Sequence, residues 1–501
     1  MSDDEVRAAQ LQVQQVLAAA RPDEEVDDPR SWHRFRLLWP HLDVSNAITS
    51  TDERVRRLFI DRVRYQWIQG DLAGGQQRAE QVIAAWARQL ERTTDPVDRS
   101  SLQSQLLHLR FNLANILLDR GLFEESMSIN EEVLREQQVL LPERHPHTLM
   151  TAGGLAGDLR GLGRYQEAMQ LDTATYRSWL EEFGEDHPRT LVALNNLAVC
   201  YRLTGNFREA RERDEQAYQL RRKVLGETHF LTLASAGNLA RDIRDAGEYK
   251  RSGEMLRTTH RVYADAHGIT AKGALLTQAN LAVSLRSAGQ IDEALRLLEE
   301  VHERLNDRFG PENPDTLTCQ LSLALSYLVV GQNDRATREL QGLIDRYAPT
   351  LGTRHPHALV CYYNLSIAHR VSDRRTEALD LAQQAMDGLH QALGTDHPYT
   401  LSARMNLAIC HADLGNLQEA LELLTDTKTR MTNALSPLHP NTLRCRGNLA
   451  LVNRMVGSPD AESQIEEIMT ELSNQVGSAH PIVEALRQGL FLNRTIDPHP
   501  F

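Results

Sequence analysis

Cysteines, aromatic side chains and long apolar runs are all scarce in this sequence. Its 501 residues include five cysteines and 5% aromatic residues. So few cysteines in so long a chain provide no disulfide framework, which is typical of a reducing compartment. No apolar run approaches the roughly 20 residues that a membrane helix needs, and the acidic N-terminus MSDDEVRAAQLQ lacks a signal-peptide core. We therefore expect a cytoplasmic protein without membrane segments.

Motifs for catalysis, cofactors and metals are also missing. The sequence contains no HExxH, no CxxC, no GxSxG elbow and no glycine-rich cofactor loop. Histidines recur in identical motifs, but neighbouring helices pack about 8–10 Å apart, whereas zinc needs ligands at about 2 Å. The net charge of −13 disfavours a general attraction to nucleic acid or anionic membranes. We expect no enzyme activity, no cofactor, no metal site and no nucleic-acid partner.

What the chain does contain is one pattern that recurs every 42 residues. Two leucine positions keep this spacing over nine copies, from Leu107 to Leu443 and from Leu113 to Leu449. A turn glycine keeps the same spacing from Gly121 onward, and Asp373 replaces it in one copy. A period of this length over so many copies is a strong indication of a solenoid.

Each copy reads as a pair of helices. The first helix opens at a His-Pro pair such as His187-Pro188, and proline suits the first helical turn because its missing N–H would have no partner there. Glycine ends the first helix, where a left-handed conformation is required. The second helix carries an alanine such as Ala210 at the close crossing and ends at a second glycine, Gly226. The pattern predicts an all-α fold, a right-handed superhelix of antiparallel helix pairs.

The chain divides into four segments by pattern. We predict an N-terminal helix and acidic linker in 1–50, a divergent helical pair acting as a cap in 51–99, nine 42-residue units in 100–480, and a capping helix (481–491) with a tail in 481–501. Within the second segment the pair should span 52–69 and 72–91. We expect the tail NRTIDPHPF to be flexible unless it is docked.

Two polar rows flank the face of the first helices that lies opposite their apolar stripe. The asparagine row is interrupted at Gly154 and Ser322 and consists of Asn112, Asn196, Asn238, Asn280, Asn364, Asn406 and Asn448. The arginine row is interrupted at Leu328 and Ala412 and consists of Arg160, Arg202, Arg244, Arg286, Arg370 and Arg454. Asparagine amides can donate to a carbonyl and accept from an N–H, whereas arginines can hold carboxylates.

These rows predict a groove for an extended peptide that carries an acidic segment or a free C-terminal carboxylate. The four consecutive arginines from Arg160 to Arg286 are expected to form its strongest carboxylate-binding part. Tyr363, Met405 and Val199 are weaker candidates for pocket residues. The alternative is that the asparagines belong to the repeat consensus and bond to neighbouring helices.

The pattern resembles tetratricopeptide repeats in their 42-residue form, which is similar to kinesin light chain repeats. The resemblance covers residues about 100–480 and implies that the polar face lines a concave peptide-binding groove. DPRSWHRFRLLWPHL, VRRLFIDRVRYQWIQGD and the closing TIDPHPF resemble the C-terminal half of the FxSxx-COOH system tetratricopeptide repeat proteins of actinobacteria. In that family the array usually follows an NB-ARC nucleotide-binding module, but this sequence contains no GxxxxGK[ST] loop.

The resemblance implies a non-enzymatic scaffold or sensor for a peptide or protein partner. Two contexts follow from it: the handling of a ribosomally made peptide that ends in FxSxx, and ligand sensing for an NB-ARC switch. Two alternatives stay open. The array could be a regulator that senses a signalling peptide and controls a separate effector or transcription factor, or it could hold an enzyme as an assembly scaffold.

Overall fold

The structure is a computed structural model that describes residues 2–500, without the side chains of Asp3 and Pro29. The described chain contains 23 α-helices and no strand, so it is an all-α solenoid of helix pairs, as predicted. It forms two compact units. The first unit comprises residues up to Leu162 with Gln170–Glu182, and the second comprises Gly163–Met169 with the residues from Phe183 onward. None of the described helices is long and apolar enough to cross a lipid bilayer.

The first unit begins with four helices that precede the regular repeats. They are α1 (Asp3–Ala19), α2 (Trp32–Val44), α3 (Glu53–Gln69) and α4 (Leu72–Arg92). Glycine at position 70 adopts a left-handed conformation (φ 78°) and ends α3, so the helices of this pair lie within one residue of the predicted bounds. Phe59 and Trp86 are buried and meet edge to face at 6.4 Å. Both belong to a hydrophobic cluster that joins these helices to leucines of the first repeat, from Leu102 to Leu117.

Nine helix pairs follow in the described chain. They are α5 (Pro96–Asp119) and α6 (Phe123–Leu140), α7 (Pro146–Gly161) and α8 (Tyr165–Phe183), α9 (Pro188–Leu203) and α10 (Phe207–Leu225), α11 (Phe230–Asp245) and α12 (Tyr249–His267), α13 (Lys272–Ser287) and α14 (Ile291–Phe309), α15 (Pro314–Val329) and α16 (Asn333–Leu351), α17 (Pro356–Val371) and α18 (Arg375–Leu393), α19 (Pro398–Asp413) and α20 (Leu417–Ala434), and α21 (Pro440–Met455) and α22 (Ala461–Val476). The last helix is α23 (Pro481–Arg487).

The final helix is shorter than the sequence predicts. We expected it to reach residue 491, but α23 ends at Arg487. Gly489 is left-handed (φ 74°), and the N–H of Leu490 donates to the carbonyl of Ala485, which closes the last turn. The chain beyond it is irregular. That stretch, residues 490–500, is called the tail below.

Histidine caps most of the first helices. In α9 the Nδ1 atom of His187 accepts a hydrogen bond from the N–H of Arg189 at 3.2 Å, and Pro188 occupies the first turn. In α15 the side chain of Asn313 takes the same place and accepts from the N–H of Asp315 at 3.0 Å. The cap therefore needs an acceptor in a fixed place, and a histidine supplies it only while Nδ1 carries no proton.

In the second unit, the turns of early repeats contact the starts of later ones. Gly247, which follows α11, is left-handed, and a Cβ atom added to it would lie 2.5 Å from Cδ of Pro440 at the start of α21. The same approach joins Gly163 to Pro356, Gly205 to Pro398 and Gly289 to Pro481. Each contact links positions between four and five repeats apart. These glycines are therefore required both by their backbone conformation and by close packing.

The capping histidines take part in the same contacts. His439 caps α21 through Nδ1, and its Nε2 lies 2.8 Å from the carbonyl oxygen of Asp245. His480 repeats the arrangement, with Nε2 at 3.0 Å from the carbonyl oxygen of Ser287. An acceptor at Nδ1 and a donor at Nε2 define a neutral imidazole. Consistently, burial lowers the pKa of His439 to about 4 and that of His397 to about 3.

Alanine substitutions at two turn glycines should separate backbone strain from packing. Gly247 and Gly415 have similar left-handed angles (φ 88° and 84°), but no atom lies within 4 Å of a Cβ added at Gly415. Both variants place alanine in a left-handed conformation, at a cost of roughly 1–2 kcal/mol. Gly247→Ala also forces Pro440 to move, so it should cost about 1–3 kcal/mol more than Gly415→Ala in urea unfolding. Equal losses of unfolding free energy in the two variants would contradict the close contact between Gly247 and Pro440.

The histidine caps predict a loss of stability in mild acid. The pKa of His439 is lower in the folded chain than its ordinary value of 6.5, so the unfolded chain binds more protons between about pH 6.5 and 4. Stability from this group is complete above pH 6.5 and falls by about 1.4 kcal/mol per pH unit below it. In His439→Asn the cap is kept, as at Asn313, but cannot titrate. Urea unfolding at pH 7, 6 and 5 should therefore show a shallower decline for the variant, and parallel declines would contradict the neutral-cap assignment.

Candidate peptide-binding groove

The tail lies inside the second unit, against the first helices of its later repeats. Leu492 and Ile496 are each 1% exposed, and His499 is 3% exposed. The described chain contains no strand, so the tail is not paired in a β-sheet. It runs from α21 toward α13, against the order of the repeats. The tail is therefore docked against the repeats. We expected it to be flexible only in the absence of such docking.

Two asparagines of the predicted row hold the backbone of the tail. Asn448 accepts from the N–H of Leu492 at 2.7 Å and donates to its carbonyl at 3.2 Å. Asn364 accepts from the N–H of Ile496 at 3.1 Å and donates to its carbonyl at 3.0 Å. We call Asn364 and Asn448 the asparagine clamps. Each clamp satisfies both backbone groups of one residue and makes no use of that residue's side chain.

Other side chains pair five more backbone groups of the tail. The hydroxyl of Tyr399 donates to the carbonyl of Asp497 at 3.1 Å and accepts from the N–H of His499 at 3.2 Å. Arg444 donates to the carbonyl of Asn493 at 2.9 Å, and Tyr363 donates to the carbonyl of Arg494. Nε2 of His357 lies 3.0 Å from the carbonyl oxygen of His499. Such a buried segment is stable only because these groups replace water.

Four side chains of the tail also make specific contacts with the groove. A Cβ atom added at Gly447 would lie 3.1 Å from Leu492, so glycine leaves the space that this leucine fills. Ile496 belongs to the hydrophobic core cluster that extends from α11 to α19. The carboxylate of Asp497 pairs with Arg286 and accepts from the hydroxyl of Ser322 at 2.9 Å. The ring of His499 stacks on Tyr399 with centroids 5.6 Å apart.

A cavity of about 830 Å³ remains beside the tail in the second unit. Its lining includes Arg244, Arg286, Arg370 and Arg444, together with the tail residues from Leu490 to Thr495 and Asp497. Nη1 of Arg244 is buried there and makes no hydrogen bond within the described chain. The groove is therefore cationic in places and is not filled by the tail.

Within the described part of the second unit, the other members of the asparagine row make no hydrogen bond to the tail. Asn406 donates to Ser366 at 2.6 Å, and its Oδ1 is buried without a hydrogen-bond partner in the described chain. Asn238 and Asn280 both accept from Arg241, at 2.8 and 2.9 Å. Asn196 is half-buried. Asn112 lies in the first unit, where it donates to the carbonyl of His108 at 3.2 Å.

The arginine row divides into two groups, which corrects the expectation that Arg160 to Arg286 act as one carboxylate-binding segment. Arg160 pairs with Asp172 in the first unit. Arg202 is fully buried between Asp214 and Asp242, at 2.6 Å from the latter, so it has no access to a ligand. Their charges are already neutralised inside the array.

Three other arginines of the row, Arg244, Arg286 and Arg370, line the groove. Arg286 holds Asp497, and Arg370 donates to the side chain of Asn493 while it pairs with Asp413 at 2.9 Å. Arg244 lies 3.7 Å from Asp245. The part of the row that remains available to a ligand is therefore Arg244, Arg286 and Arg370.

A signal in the sequence separates these two groups of arginines. Asp172 and Asp214 stand twelve residues after Arg160 and Arg202, whereas Leu256, Leu298 and Ala382 occupy that place after Arg244, Arg286 and Arg370. An arginine that is followed twelve residues later by an aspartate is paired with it inside the same repeat. This relation is visible in the sequence, but the prediction did not use it.

Tyr399 and Arg444 were also missed as groove residues. Both stand at repeat positions where the other copies vary, which is the only signal for them in one sequence. The positions equivalent to Arg444 hold Ala234, Leu276, Thr318, Val360 and Ser402. Sequence reasoning gave most weight to regular rows, whereas these two contacts come from irregular ones.

Comparison with known proteins identifies the repeats. A tetratricopeptide repeat family model matches residues 147–223, 189–265, 273–341, 370–428 and 399–467, and a second one matches 110–147. The chain belongs to the tetratricopeptide repeat family. No curated protein matches it significantly.

Several solved structures are similar to parts of the chain. A Podosopora anserina putative kinesin light chain with nearly identical TPR-like repeats is 28% identical, with 42% of this chain and 96% of that one covered and a TM-score of 0.34. BtubC from P. vanneervenii is 19% identical, with 46% and 92% covered and a TM-score of 0.36. The apo form of the quorum sensor NprR from B. thuringiensis is 13% identical, with 74% and 97% covered and a TM-score of 0.48.

Substitutions at two arginines of the row should differ strongly in their effect on stability. Arg202→Met leaves Asp214 and Asp242 buried without their cation, and breaking such a buried pair costs about 3–5 kcal/mol. Arg454 occupies the same repeat position, but its side chain is 40% exposed and lies 3.7 Å from Glu462. Arg454→Met should therefore cost less than about 1 kcal/mol. Similar losses of unfolding free energy in the two variants would contradict the structural role of Arg202.

Proposed function

We propose that this protein binds an extended segment of a peptide or protein partner in the groove of its second unit and acts as a scaffold or sensor. The observation that carries the proposal is the pair of asparagine clamps. They hold both backbone groups of Leu492 and of Ile496 at 2.7–3.2 Å. A groove that satisfies one extended backbone in this way has the chemistry to bind another.

The clamps recognise the main chain, which every peptide shares. An unpaired backbone group buried away from water costs about 1–3 kcal/mol. An extended partner would therefore be bound only where side chains replace both hydration partners, and the amide of asparagine offers one donor and one acceptor in a fixed arrangement. Asn364 and Asn448 lie two repeats apart, so together they also fix the register of the bound segment.

The charges around the groove favour a partner with an acidic segment or a free C-terminal carboxylate. Asp497 provides an example, since its carboxylate is held by Arg286 and Ser322. Arg244 and Arg370 lie on the same cavity. Bonds of this kind between ionised groups are stronger than neutral ones, and arginine suits planar carboxylates. Arg160 and Arg202 have no part in this proposal because both are paired inside the array.

The resemblance to the FxSxx-COOH system proteins adds a cellular context to the proposal. In that context the partner is a ribosomally made peptide, and the array is either its binding protein or the sensor of an NB-ARC switch. A regulator that acts on a separate effector would use the same groove with a different partner, whereas a scaffold for an enzyme would hold it through the convex face or the N-terminal region. Peptide binding in the groove is therefore the step that separates the first roles from the last.

The test uses a chain in which the groove is vacated without any change to its walls. We define the opened chain as the protein with Leu492→Ser and Ile496→Ser, which removes the two apolar anchors of the tail. Phage-displayed peptides selected on the opened chain should bind through the clamps. Loss of one clamp leaves buried backbone groups unpaired, so adding Asn364→Ala or Asn448→Ala should weaken binding about 10- to 100-fold in calorimetry.

Asn238→Ala provides the matched control, because Asn238 belongs to the same row and bonds to Asn195 and Arg241 rather than to the tail. It should leave the affinity unchanged. Circular dichroism checks that all variants keep their helix content. The proposal is wrong if a folded opened chain selects no peptide, or if the selected peptides bind equally well without both clamps.

A further inference from the structure

We infer that the tail is a displaceable internal ligand and that its side chains show which partner peptides the groove prefers. The preferred segment has two apolar residues four positions apart, a carboxylate directly after the second, and a flat ring two positions later, as in Leu492, Ile496, Asp497 and His499. This inference rests on the proposed function, since it names the partner class of the same groove.

The preferred residue pattern follows from which side chains of the tail are buried in the groove. Leu492 and Ile496 are each 1% exposed, so their burial removes two large apolar side chains from water, which favours binding. By contrast, Leu490 is 54% exposed. The side chain of Asp497 is 15% exposed and paired with Arg286, which is 4% exposed. Selectivity therefore comes from three enclosed side chains and the ring of His499, whereas the clamps supply binding that is independent of sequence.

The spacing of the pattern is set by the array. Asn448 belongs to α21 and Asn364 to α17, and the chain between their bound residues contains three others, from Asn493 to Thr495. Successive side chains of an extended chain point to opposite sides. Inserting a residue would turn Ile496 and Asp497 away from their places while Leu492 stayed bound. A peptide with the same residues and a different spacing should therefore bind much more weakly.

The tail can be replaced because its backbone bonds come from side chains of the array. Any peptide of the same pattern would receive the same bonds from these side chains, which are Asn448, Asn364, Tyr399, Arg444, Tyr363 and His357. The tail's advantage over a free peptide is its tether. Short tethers give effective concentrations of about 1 mM. If the free segment binds at about 1–10 µM, the tail weakens an external peptide by about 10²- to 10³-fold.

The probe is a fluorescein-labelled peptide, GLFLNRTIDPHP, whose sequence is that of residues 489–500. Fluorescence polarisation would compare its binding to the wild-type chain and to the opened chain. We expect the opened chain to bind it about 10²- to 10³-fold more tightly. Leu490→Ser is the matched control, because it removes an exposed leucine of the same tail, and its affinity for the probe should equal that of the wild type.

Two unlabelled competitors then test the pattern on the opened chain. One replaces Leu492, Ile496, Asp497 and His499 by Ser, Ser, Asn and Ser, and the other inserts one serine after Arg494. Each should compete at least tenfold more weakly than the unmodified peptide. If all three compete equally, the preferred pattern is wrong although peptide binding stands. If the folded opened chain binds no peptide at all, including those from phage display, the proposed function fails as well.

Hydrogen exchange on the unaltered chain covers the case in which the opened chain does not fold. Local release of the tail would let the amides of Leu492, Ile496 and His499 exchange faster than those of α17 and α21. An excess of the unlabelled peptide should raise exchange in residues 490–500 and leave those two helices unchanged. Exchange of the tail only together with the whole unit, with or without peptide, would overturn the inference and make the tail a permanent part of the core.

Discussion

The groove is organised by the need to pair the backbone of an extended segment that has no strand beside it. In an all-helical unit the N–H and C=O groups inside each helix are paired within that helix, so no strand edge is available to form a ladder with the tail. Side chains do this work instead, chiefly the amides of Asn364 and Asn448 and the hydroxyl of Tyr399. Because the same groups would satisfy any extended chain, the requirement that orders the tail also creates a binding site.

The cost of burying an unpaired polar group also explains why arginines of one row have two different structural roles. A buried guanidinium is tolerated only with a partner. Arg202 finds its partners in Asp214 and Asp242 within the array, whereas Arg286 finds its partner in Asp497 of the tail. The first arrangement holds repeats together, and the second depends on an occupant of the groove. Arg202 and Arg286, at equivalent positions two repeats apart, therefore have different partners, and the residue twelve positions later distinguishes them, Asp214 in one repeat and Leu298 in the other.

The helices could be predicted from the sequence, but most of the groove could not. Proline and glycine act locally, so the bounds of α9, Pro188–Leu203, follow from residues within it or beside it. The contact between Gly247 and Pro440 joins repeats that no local pattern relates. Asn406 and Asn448 likewise look equivalent in the sequence, yet Asn448 donates to the tail whereas Asn406 donates to Ser366. Which members of a row are used depends on the path of a segment beyond the repeats.

The most direct test of peptide binding by the clamps is a crystal structure of the opened chain with a bound peptide. The N–H and C=O of one peptide residue should lie within about 3.2 Å of the side-chain amide of Asn448, and those of a residue four positions away should lie equally close to Asn364. The peptide should run from α21 toward α13. A peptide bound elsewhere on the chain, or in the groove without contact to either amide, would contradict the function proposed for this protein.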